Sequence, residues 1–74
     1  MSLIGKELYK SLMKSYQSEI QANKTMMLIY FRNSVGIGEH PQHLEEMDTM
    51  LSKITDANDK LESLMREFPE EDYK

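Results

Sequence analysis

Three of the five residues that oppose a helix interior fall in one short window of this chain. Gly36, Gly38 and Pro41 lie between two long stretches nearly free of breakers. Upstream, from Leu3 to Ser34, the only one is Gly5. Downstream there is no Gly, and the next Pro after Pro41 is Pro69. Proline suits the first turn of a helix, where its missing N–H costs nothing, and it disfavours helix in the residue before it. Gly36 and Gly38 tolerate positive φ and so permit the chain to reverse. These positions predict one domain over residues 1–74, with a helix over about 3–34, a turn at 35–40, a helix over about 41–68 and an acidic tail at 69–74.

Apolar spacing within each stretch adds the tertiary expectation. In the first, Tyr9, Met13, Tyr16, Ile20, Asn23, Met27 and Tyr30 follow one another at alternating steps of four and three. In the second, Leu44, Met47, Leu51, Ile54, Asn58, Leu61, Met65 and Phe68 do the same. Each reads as a coiled-coil seam with one polar interruption. Folded back on each other, they pair in a single antiparallel register from Tyr30 with Leu44 to Tyr9 with Met65. That register sets Asn23 against Leu51 and Tyr16 against Asn58, whose amide is expected to take the Tyr16 hydroxyl as partner. The fold class expected is all-α, an antiparallel two-helix hairpin.

Charge agrees with such a pairing. Residues 1–34 carry five basic and two acidic side chains, a net of +3, and residues 35–74 carry four basic and eleven acidic, a net of -7. A basic helix beside an acidic one favours the hairpin over pairing of like helices, although each exposed contact is worth only about 0–1 kcal/mol.

Two helices do not finish the burial. Leu8, Leu12, Ala22, Met26 and Ile29 flank the first seam, Met50, Ala57 and Leu64 flank the second, and Leu28 and Phe31 adjoin the apolar end of the first helix. A chain of 74 residues closes a core worth only about 3–5 kcal/mol, and small folds add a disulfide, a metal or a partner. There is no cysteine, which excludes disulfides and cysteine-ligated metal centres. Self-association, most simply a homodimeric four-helix bundle, is the expected remedy. The longest apolar run, Met26 to Phe31, falls far short of the roughly 20 residues of a membrane span. No signal-peptide pattern opens the chain, and Met1-Ser2-Leu3 reads as an expression leader. A soluble cytoplasmic protein is expected.

The densest polar cluster surrounds the turn. His40, His43 and Glu46 are spaced three apart, so one helical face offers two imidazoles and a carboxylate, a set that zinc or another divalent ion accepts. The competing reading is ordinary: acidic residues in a first turn complement the helix dipole. The spacing also matches neither the zinc-protease motif nor a di-iron helix pair. Asn23 and Asn58 are expected to fix register rather than hold a ligand. Lys6, Lys10 and Lys14 form a stripe of the kind that follows phosphates, but no arginine-rich segment or aromatic platform accompanies it, so nucleic acid is disfavoured. Among seven methionines, Met26 and Met27 lie nearest the loop, and Met26, Ile29, Phe31 and Ile37 are the expected interaction residues. No nucleophile, base and orienting group form a set, so neither catalytic residues nor a cofactor are expected.

The run Val35-Gly36-Ile37-Gly38-Glu39-His40-Pro41, followed by Met47-Asp48, Ile54, Asp59-Lys60-Leu61 and Phe68, resembles small uncharacterised helical-hairpin proteins of tailed marine bacteriophages. Gln42 departs from the acidic residue expected after the proline. The resemblance covers residues 35–68 and implies a phage origin and a host-cytoplasm location. It assigns no activity. The whole reading is of a non-catalytic structural or protein-interaction module that self-associates and presents its loop end or apolar flank to an unidentified protein partner. Divalent-metal binding at His40, His43 and Glu46, or weak nucleic-acid association, stands as the alternative.

Overall fold

A computed structural model describes residues 2–32 and 42–69. The chain forms two helices, α1 over Leu3–Arg32 and α2 over Gln42–Glu67, and no strand among the described residues. The expected turn at 35–40, with Ile37 and His40, and the tail from residue 70 lie outside the described residues.

Local chemistry explains where the helices begin and end. Ser2 caps α1: its Oγ accepts the Gly5 N–H at 3.0 Å, and its carbonyl accepts the Lys6 N–H at 3.0 Å. Arg32 in the last turn of α1, Glu45 in the first turn of α2 and Arg66 in its last turn all complement the helix dipoles. The Phe68 N–H still reaches the Leu64 carbonyl at 2.9 Å, but Pro69 follows and the helix stops.

The helices run antiparallel, because the start of α1 meets the end of α2 and the end of α1 meets the start of α2. The Tyr9 hydroxyl donates to the Phe68 carbonyl at 2.5 Å, and the Tyr30 hydroxyl donates to Glu46 Oε2 at 2.5 Å. Between those ends, the Lys60 ammonium lies 6.0 Å from the centre of the Tyr16 ring. The product is a rod of 53 × 17 × 14 Å.

The inner face of α1 is the one its spacing predicts. Tyr9 and Asn23 are buried, and Met13, Tyr16, Ile20, Met27 and Tyr30 are half-buried. On α2 the expectation is half right. Met47, Ile54 and Leu61 face inward, but the row completing the seam is His43, Met50, Ala57 and Leu64. Leu44, Leu51, Asn58 and Met65 are exposed, with Phe68, so the expected Tyr16–Asn58 pair does not form. Helix α2 is rotated by about 50°, half the turn of one residue, about its own axis from the expected orientation.

Two physical terms favour that rotation. Turning Asn58 inward would place an amide in the seam with three hydrogen-bonding groups to satisfy, and a buried unsatisfied polar group costs about 1–3 kcal/mol. Asn23 already carries such a cost: its Nδ2 donates to the Glu19 carbonyl at 2.8 Å, while its buried Oδ1 has no partner. Ala57 has no side chain to obstruct the approach of two backbones and is only 2 % exposed.

The interior remains thin. Tyr9 and Ala57 are the buried apolar residues among those described, and no large side chain is completely enclosed. Lys10 pairs with Glu7 at 4.0 Å and Arg66 with Glu67 at 3.2 Å, each within one helix.

Candidate interaction surface

A two-helix seam leaves two broad faces, one on each side of the contact line. The residues that line the grooves identify them. Met26 shares an open groove of about 490 Å³ with Asn23, Glu46, Met50 and Lys53. Leu12 shares another of about 350 Å³ with Tyr16, Lys60 and Glu67. The first face therefore combines an apolar flank of α1 with a charged flank of α2 formed by Glu46, Lys53, Lys60 and Glu67. Both grooves are shallow and open along the rod.

On the opposite flank of α2 stand Leu44, Leu51, Asn58 and Met65, recurring every seven residues and therefore in line along the helix. Leu44 is 70 % and Leu51 51 % exposed. Beside them on α1, each one position after an inward residue, stand Lys10, Gln17, Lys24 and Phe31, all exposed, with Phe31 at 65 %. Three large apolar side chains on α2 and one on α1 thus lie on a single face. The spacing analysis placed the α2 row inside the hairpin and missed it as a surface. The signal that could have found it is the alternative row His43, Met50, Ala57 and Leu64, which has the same alternation and shares Met47, Ile54 and Leu61.

The interaction residues named from sequence do not form one patch. Met26 lies on the groove face, Ile29 lines a separate groove of about 340 Å³ with Leu28 and Arg32, Phe31 belongs with the Leu44 row, and Ile37 is outside the described residues. Of the metal set, His43 and Glu46 are one turn apart and both meet Tyr30. The His43 ring centre is 5.2 Å from that of Tyr30 at a tilt of 55°, and Glu46 accepts the Tyr30 hydroxyl. His40 is outside the described residues, and no three His, Asp or Glu side chains converge among those described. The hydrogen bond to Glu46 pushes the Tyr30 phenol above its ordinary value of 10.0, with desolvation and the carboxylate charge adding to it.

Lys6, Lys10 and Lys14 all lie on α1, with Lys10 held against Glu7. No helix of the described residues is long and apolar enough to cross a membrane. No family model, curated protein or solved structure matches the chain.

Proposed function

We propose that the protein is a non-catalytic structural or protein-interaction module that works as a self-associated helical bundle. The observation that supports this reading is the exposure of large apolar side chains along the whole rod, Leu3, Leu8, Leu44, Phe31 and Leu51 among them, against an interior with no fully enclosed large residue. The chain exposes 5711 Å² at 8.7 kDa. A compact monomer of that mass exposes about 4,700 Å². The excess of about 1,000 Å² compares with the roughly 800 Å² that each partner contributes to a standard interface. Covering it offsets the weak intrachain core, at roughly 25 cal/mol per Å² of apolar surface removed from water.

The resemblance over residues 35–68 to phage hairpin proteins would imply an origin and assigns no activity, so the reading stands on the exposed apolar rows. Sedimentation equilibrium over a wide concentration range, at two salt levels, is the test. A stable dimer or higher assembly is expected. A folded monomer at all concentrations overturns self-association and leaves the apolar rows to another protein.

A further inference from the structure

We infer that a second copy of this chain docks on the face carrying Leu44, Leu51, Asn58, Met65 and Phe31, with both loops at the same end, so that α1 of each copy lies over α2 of the other. This rests on the self-association proposed above and specifies which surface and which symmetry it uses.

The choice of face follows from what each would bury. The groove face would bring Glu45, Glu46, Lys53, Asp59, Lys60 and Glu67 of α2 into the interface, six charges that must be desolvated or paired. The opposite face presents Leu44, Leu51 and Met65 from α2, with Asn58 as its single polar position in that row. The α1 positions beside them are Phe31 near the loop and Lys10 and Lys24 further along, whose methylene stems cover apolar surface while the ammonium groups stay in water.

The symmetry follows from how that face is composed along its length. Its apolar bulk is concentrated near the loop, in Phe31, Leu44 and Leu51, with Lys24 beside them, and its other half carries Lys10 and Met65. A twofold axis parallel to the rod brings loop end to loop end, so Phe31 of each copy meets Leu44 of the other. An axis across the rod would lay the two α1 rows on each other, with Phe31 against Lys10 and the lysines of both copies on the same side. The parallel axis also lays α1, with five basic and two acidic residues, over α2, with three basic and seven acidic. The crossed axis would lay like helix on like helix. Under the parallel axis, Gln17 and Asn58, both exposed at mid-length, come opposite each other across the interface and form a hydrogen-bonding layer between apolar ones.

The chain has no cysteine, so single substitutions give clean crosslinking probes. Gln17→Cys and Asn58→Cys chains are prepared separately, checked for helicity by circular dichroism, then treated with a short bismaleimide alone and as an equilibrated mixture. Covalent dimer is expected from the mixture and only background from either variant alone. Strong crosslinking of Asn58→Cys by itself would overturn the proposed axis. No crosslinking in a mixture that still sediments as an assembly would overturn the proposed face, leaving self-association standing. A monomeric wild-type chain would instead remove the reading beneath it. In a parallel arm, Leu51→Glu is expected to weaken the dimer at least about tenfold, whereas Leu12→Glu on the groove face leaves it unchanged. The reverse order would also overturn the face.

Discussion

The two ends of the hairpin are each closed by a tyrosine from α1 reaching across to α2, yet they are closed differently. At the end remote from the loop, Tyr9 is buried and gives its hydroxyl to a backbone carbonyl, that of Phe68 just past the end of α2. Carbonyls at a helix C-terminus have no partner within the helix, so this bond satisfies a group that would otherwise need water. At the loop end, Tyr30 gives its hydroxyl to the exposed Glu46 carboxylate and rests against the His43 ring. The acceptor at one end is a main-chain carbonyl, and the acceptor at the other is a titratable, replaceable side chain.

That contrast orders the expected effects. Tyr9→Ala removes the largest buried ring and should cost about 3 kcal/mol, near the whole stability of so small a core, so the chain should lose its cooperative thermal transition. Tyr9→Phe keeps the ring and loses the hydrogen bond, at about 1 kcal/mol, or a fall of roughly 4–8 °C in Tm at fixed protein concentration. Tyr30→Phe should lower Tm by less than Tyr9→Phe, because its hydroxyl and acceptor remain solvated when parted. Equal losses at the two ends would erase the distinction drawn here.

Alkaline titration gives the finest comparison. The Tyr30 phenol is raised because its neutral form donates to Glu46 and its ionised form would face a carboxylate. A group raised on folding contributes stability that is complete below its unfolded value near 10 and is lost as pH rises through the folded value. Ultraviolet titration should therefore show the Tyr30 component ionising after an ordinary phenol would. Tyr30→Phe should remove that late component, and Glu46→Gln should shift it back towards 10. A late component that survives Tyr30→Phe would assign the shift to another tyrosine.

Much of this molecule is legible without coordinates, unevenly so. The seven inward residues of α1 follow from spacing alone, since a shift by one residue would replace Tyr9, Met13 and Met27 with Lys10, Lys14 and Leu28 and bury lysines. Helix α2 has no such guard. Its apolar residues occupy three adjacent rows, and either outer row completes an alternation of threes and fours with Met47, Ile54 and Leu61. Choosing the row with the larger side chains, Leu44, Leu51 and Met65, is reasonable for an isolated helix and wrong for this pair. The exposure of Leu44, Leu51 and Met65 is illegible for the same reason, because residues assigned to a seam are not sought on a face.

Breaker positions and apolar periods by themselves determined that there are two helices, that they fold back on each other and which side of α1 turns inward. These depend on backbone sterics and on burying one dominant stripe, which are local properties of the chain. The rotation of α2 was decided only by tertiary contact. Its two candidate seams differ little in hydrophobicity, and the choice rests on whether Ala57 or Asn58 faces the other helix, a matter of close approach and amide satisfaction that exists only once α1 is in place.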